Sequence, residues 1–113
     1  MNEIKAYIKQ HKLNEVISEL KKNHVIDISI SHVTAVGWHH NDMKMYKDIE
    51  NHYHVNEIVK LEIICSSHDT KYLIETIRKH AFTGNPGDGI IFVSDIRQAV
   101  KIRTGETGRK ALQ

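Results

Sequence analysis

The chain has 113 residues, 27% charged and 40% hydrophobic, with a formal net charge of +2 and one cysteine. That length makes one domain with a modest core, for which association with further copies would bury more surface. Dispersed Lys and Arg and sparse aromatics exclude the basic footprint of a nucleic-acid binder, and a lone Cys65 in an apolar run cannot close an internal disulfide. No leader pattern and no apolar run of about eighteen residues is present, which predicts a soluble, cytoplasmic protein without membrane insertion.

Ile4, Ala6 and Ile8 alternate with more polar neighbours, so the chain opens on a half-buried strand ending before Lys12. Leu13, Val16, Ile17 and Leu20 then recur at i, i+3, i+4 and i+7, the apolar face of a helix. Ile26, Ile28 and Ile30 alternate with Asp27, Ser29 and Ser31, and Val33 and Val36 carry the strand character on to Gly37. From Gly37 to about Asn56 no clean period exists, which predicts a long loop, and loops of that length in so small a domain are usually functional or disordered. Val59, Leu61, Ile63 and Cys65 form the next alternating strand. Ser66 or Ser67 caps a second helix whose buried stripe is Leu73, Ile74, Ile77 and Ala81. A glycine-rich loop, 83–89, leads into a strand through Phe92 and Val93, and a last short strand is predicted through Val100 and Ile102, with a flexible tail after Thr104. Strand, helix, strand, strand, helix, strand is an α+β, ferredoxin-like βαββαβ order: an antiparallel sheet with both helices on one face and the long loop between strands two and three.

Two segments carry chemistry. Thr83-Gly84-Asn85-Pro86-Gly87-Asp88-Gly89 places three glycines in six positions, which lets backbone N–H groups converge as an anion cradle. Lys101 and Arg103, two apart on a strand, would share a face and supply a point charge and a planar fork of donors for phosphate. Taken alone, a glycine-rich turn entering a strand is usually only a turn, and basic residues at a sheet edge are usually solvated.

Together, the segments from Thr83 to Val93 and from Lys101 to Glu106 resemble the PII signal-transduction family, which carries Thr-Gly-x-x-Gly-Asp-Gly-x-Ile-Phe-Val and, about eight residues on, a basic-Ile-Arg-Thr-Gly-Glu segment. Ile8-Lys9, Lys12-Leu13, Glu15-Val16, Gly37, Tyr46 and Lys60-x-Glu62-Ile63 extend the resemblance over nearly the whole chain. The resemblance implies a homotrimer that binds ATP or ADP as effector in clefts between subunits. Gly37, Gly87, Asp88 and Gly89 would come from one side of the cleft, with His39 at the loop base. Ser29, Glu62, Ile64, Lys101 and Arg103 would come from the other. Gly87 and Gly89 would allow phosphate to approach the backbone, Lys101 and Arg103 would neutralise it, and Ser29, Glu62 and the backbone at Ile64 would read the base and ribose. Without the family, Glu62 and Ser29 would read as ordinary strand residues facing solvent.

By the same resemblance, residues 1–113 form a single PII-like domain with a partner-binding T-loop at about 37–56, the glycine loop at 83–89 and a C-terminal loop at 104–113 that closes over the nucleotide. The T-loop would control a target transporter or metabolic enzyme. Departures from the family pattern narrow this. Ile90 stands where many members have a phosphate-reaching lysine, a loss on the order of 4 kcal/mol for unit charges about 4 Å apart at an effective dielectric near 20, and less in a wet cleft. ATP and ADP should therefore bind with more similar affinity than usual. His39 and Ile58 replace the glutamine and lysine that serve 2-oxoglutarate, and Mg²⁺ prefers oxygen ligands, so the usual 2-oxoglutarate site is not expected while Mg²⁺ on the triphosphate stays open. Asn51 stands at the uridylylated tyrosine and Ile49 at the phosphorylated serine, so neither covalent switch is expected.

His39, His40, His52 and His54 at the two ends of the loop leave a metal-binding trimer as an alternative, although their spacing fits no standard zinc motif and exposed loop histidines are more often simply polar. A slow ATPase is a second alternative. The chain has no Walker motif and no fixed carboxylate–histidine pair at the glycine loop, so a non-enzyme is expected.

Overall fold

The computed structural model describes residues 1–25, 27–36 and 55–113. Strand β1 covers Asn2–Lys9 and, after a 3₁₀ turn at Gln10–Lys12, leads into helix α1, Leu13–Lys22. Strand β2 is Ser29–Val36, β3 is Val55–Cys65, helix α2 is Ser67–Ala81, and β4 is Ile90–Asp95. The sheet order is β2-β3-β1-β4 with every neighbouring pair antiparallel, the ferredoxin-like α+β arrangement that the element order predicts.

Register explains the core. Ile4, Ala6 and Ile8 of β1 stand opposite Ile63, Leu61 and Val59 of β3, and directly paired residues project to one face. That face receives Val16 and Leu20 of α1 and Leu73, Ile77 and Ala81 of α2, so both helices cover the same side of the sheet. Each fully buried aliphatic side chain there contributes about 1.5–3 kcal/mol relative to exposure. Across the helix pair, His80 Nδ1 lies 3.0 Å from Glu15 Oε2.

The helix ends follow local chemistry. Ser66 caps α2: its hydroxyl oxygen accepts the Asp69 N–H at 3.2 Å and its O–H donates to Asp69 Oδ2 at 3.0 Å. Helix α1 ends in a Schellman turn, with the Val25 N–H on Leu20 O and the His24 N–H on Lys21 O, both 3.1 Å. His24 takes the left-handed position at φ 64° that glycine usually fills.

Three expectations are corrected. Strand β2 starts at Ser29, so the alternation beginning at Ile26 overshoots at its N-terminal side: Asp27 and Ile28 precede the strand, and position 26 lies outside the described residues. The long loop predicted to run to about Asn56 ends slightly earlier, since β3 already begins at Val55, where Val55 and Asn56 pair with Val36 and Ala35. The last strand through Val100 and Ile102 does not form. Only a single bridge joins Val100 to Thr107, and the Lys101 N–H bonds Glu106 O while the Gly105 N–H bonds Lys101 O, both at 2.8 Å. Gly105 at φ 75° lets the chain close on itself within those few residues, so no extended segment is left for the sheet. The tail beyond it is partly regular, with a 3₁₀ turn at Gly108–Leu112.

Candidate functional site

The glycine loop is held by its own carboxylate. The Thr83 and Gly84 N–H groups donate to Asp88 Oδ2 at 2.8 and 2.9 Å, and the Thr83 hydroxyl donates to Asp88 Oδ1. Lys9, the last residue of β1, places its ammonium 3.1 Å from Asp88 Oδ1 and 3.1 Å from Thr83 Oγ1. Partial burial would raise the Asp88 carboxyl, but the Thr83 hydroxyl and amide, the Gly84 amide and the Lys9 ammonium outweigh it and hold the group well below the usual carboxylate range. Two of the loop's amides therefore serve Asp88. The cradle inferred from the glycines is accordingly narrower than the glycine count suggests.

Gly89 is required by packing. A Cβ there would lie 1.7 Å from the Tyr7 carbonyl oxygen, and its φ is +105°. The loop abuts a cavity of about 340 Å³ between β1, β4 and α2, lined by Ile8, Ile77, Phe82, Asp88, Gly89 and Ile90 among others.

Ser29, Glu62, Ile64 and Lys101 come together elsewhere. They line a cleft of about 1010 Å³ at the other end of the sheet, with Glu3, Asn23, Tyr72 and the tail residues Ala111, Leu112 and Gln113. Ser29 and Glu62 are direct cross-strand partners, so both project to the sheet face that the helices leave open. Glu62 takes the Lys60 ammonium at 3.1 Å, and that hydrogen bond, followed by the Glu62 charge, holds the Lys60 ammonium above its ordinary value. Lys101 donates to the backbone oxygen of Gln113 at 2.5 Å.

The expected pairing of Lys101 and Arg103 on one strand face is corrected, because residues 102–104 form a turn; Arg103 is exposed and lines neither cavity. Gly37 and the candidate metal ligands His39, His40, His52 and His54 lie outside the described residues. Among the described residues no cluster of His, Cys, Asp and Glu could hold a metal ion, and no helix is long and apolar enough to cross a membrane. Lys9, which falls within the Ile8-Lys9 pair of the family resemblance, is not marked as part of the glycine loop by any spacing rule. The β1 register places it there: continuing the Tyr7–Ile90 pairing by two residues sets Lys9 opposite Asp88.

The glycine loop and the Ser29–Glu62–Ile64–Lys101 cleft stand at opposite ends of β1. Glu3 lines the cleft and Lys9 touches the loop, and six residues of strand span about 20 Å. A ferredoxin-like domain with a carboxylate-clamped glycine loop at one end of its first strand and a polar cleft at the other is the class of protein so defined. The profile of the family described as Nitrogen regulatory protein P-II matches residues 1–106. The chain is 38% identical over 112 residues to the nitrogen regulatory protein P-II of Mesorhizobium japonicum, covering 99% of this chain and 100% of the relative, and 36% identical, with the same coverage, to that of Porphyra purpurea. Among solved structures it is similar to Arabidopsis thaliana PII bound to citrate, with a TM-score of 0.77 and 28% identity over 97% of this chain and 90% of the other. The chain belongs to the nitrogen regulatory protein P-II family, whose members are signal-transduction regulators of nitrogen metabolism rather than enzymes.

Proposed function

We propose that this protein is a cytoplasmic regulator that binds ATP or ADP between the subunits of a homotrimer, and that nucleotide occupancy sets the conformation of the T-loop at 37–56. That loop then engages a target transporter or metabolic enzyme. Ser29, Glu62 and Ile64 serve the base and ribose, Lys101 and Arg103 the phosphates, and Gly37, His39, Gly87, Asp88 and Gly89 approach from the neighbouring subunit. The triphosphate is open to Mg²⁺, and neither the usual 2-oxoglutarate site nor uridylylation operates.

The observation that supports this reading is the separation of the two residue groups by about 20 Å along β1. One small ligand does not reach from one group to the other within a chain, whereas a second copy can bring a glycine loop to the cleft. The open sheet face adds an apolar surface for such association: Tyr7 and Phe92 form an edge-on ring pair with centroids 6.1 Å apart, and Phe92, Ile90 and Ile64 are exposed.

Light scattering at micromolar concentration tests the assembly, and a monomer would sink the reading. Calorimetry tests the ligand: ATP and ADP bind stoichiometrically and without turnover, and Arg103→Ala weakens both by about tenfold or more through loss of a charge-assisted phosphate contact. Because Arg103 is exposed, its thermal midpoint stays at the parent value. Unchanged affinity would place the phosphates away from Arg103.

A further inference from the structure

A carboxylate is an odd component for a loop that receives phosphates, since like charges repel. The geometry resolves it. Asp88 projects from the loop between Gly87 and Gly89, and its two oxygens accept the Thr83 N–H, the Gly84 N–H and the Thr83 hydroxyl. The Lys9 ammonium closes the set at 3.1 Å from both Asp88 Oδ1 and Thr83 Oγ1, in a setting where the two charged side chains are only 20% and 26% exposed. A partly shielded ion pair of this kind attracts more strongly than one in bulk water.

We propose that Lys9 is a positioning residue for the glycine loop: it cancels the charge of Asp88 and fixes that carboxylate on the loop's own donors, so that the loop presents a neutral surface to a phosphate. The role rests on the reading of residues 83–89 as phosphate-binding. Lys9 acts through Asp88, being oriented by the carboxylate and the Thr83 hydroxyl. Removing its charge leaves an unbalanced carboxylate beside the incoming anion. Removing both charges restores neutrality. The depressed Asp88 carboxyl agrees with this arrangement.

The groups in contact with Asp88 are Lys9 from β1 and Thr83 and Gly84 from the loop itself, while Tyr7 from β1 and Arg78 from α2 line the adjoining cavity with it. Only Lys9 makes an ion pair with it among the described residues.

The test measures ATP affinity by calorimetry for the full chain, Lys9→Met, Lys9→Gln, Lys9→Arg and the double variant Lys9→Met with Asp88→Asn, and follows the Asp88 carboxyl by carbon NMR titration. Lys9→Met and Lys9→Gln weaken ATP by about tenfold, the order expected for one unbalanced charge a few ångströms from a phosphate in a wet cleft. Lys9→Arg keeps most of the affinity, and the double variant binds ATP more tightly than Lys9→Met alone. In Lys9→Met the Asp88 carboxyl titrates at higher pH than in the parent, a change that a loop merely loosened elsewhere would not produce. Parent-like ATP affinity in both neutral variants overturns the proposal, as does a double variant no better than Lys9→Met. If the parent chain itself binds no ATP, the nucleotide reading fails, and the carboxyl titration still decides Lys9: an unshifted Asp88 in Lys9→Met and Lys9→Gln rules out the pairing role.

Discussion

Gly89→Ala is the substitution whose cost the structure defines best. The added Cβ would sit 1.7 Å from the Tyr7 carbonyl oxygen and 2.8 Å from its carbon, so backbone rather than a yielding side chain must move. Its φ of +105° lies in a region that only glycine occupies freely, which alone costs on the order of 1–3 kcal/mol. Displacing β4 from the end of β1 adds to that, because the Tyr7–Ile90 pair begins one residue later. With about 1–3 kcal/mol for the forced backbone shift, the total comes to about 2–6 kcal/mol, a large fraction of the roughly 5–15 kcal/mol that holds a domain together. Gly105→Ala is the internal control: nothing lies within 4 Å of its Cβ, so at φ +75° it bears only the left-handed penalty of about 1 kcal/mol. Urea unfolding of the two variants and the parent, at one protomer concentration because assembly shifts apparent stability, gives the comparison. If Gly89→Ala costs no more than Gly105→Ala, the close approach to Tyr7 is not a constraint on the native chain, and a ligand would have to explain the glycine.

Asp88→Asn tests the loop clamp through acid stability. A carboxyl held below its ordinary value contributes stability that is fully present above about pH 4 and is lost as pH falls toward and below 2. The parent therefore loses stability across that window by urea midpoint, and the Asn variant, already weaker at pH 7 by about 2–3 kcal/mol, loses less there; parallel profiles would refute the clamp. Ser66→Ala removes the N-cap of α2 and lowers unfolding free energy by about 1 kcal/mol, while Ser67→Ala, inside the helix, changes it by a few tenths at most. Equal effects of the two would mean that the Ser66 cap is not what starts the helix.

Periodicity was enough for much of this fold. The alternation of Ile4, Ala6 and Ile8, the i, i+3, i+4, i+7 spacing of Leu13 to Leu20, and the stripe from Leu73 to Ala81 each match an element whose apolar side is buried, because a strand or helix of fixed geometry can hide only residues at its own period. The Thr83–Val93 and Lys101–Glu106 wording reached further, to a family now matched over residues 1–106. Alternation says which residues share a face and leaves open whether that face is covered. Ile30 pairs with the fully buried Leu61, yet it is 44% exposed because β2 lies at the sheet edge. Nor does local spacing see a competing partner: the predicted strand through Val100 and Ile102 closes into a turn of its own, which separates Arg103 from Lys101. Lys9 and Asp88 are 79 positions apart in the sequence, and only the pairing of β1 with β4 brings the ammonium onto the carboxylate. Composition and period fix local elements because those depend on neighbours in the chain, whereas an ion pair across a sheet depends on register, which is settled by the packing of the whole domain.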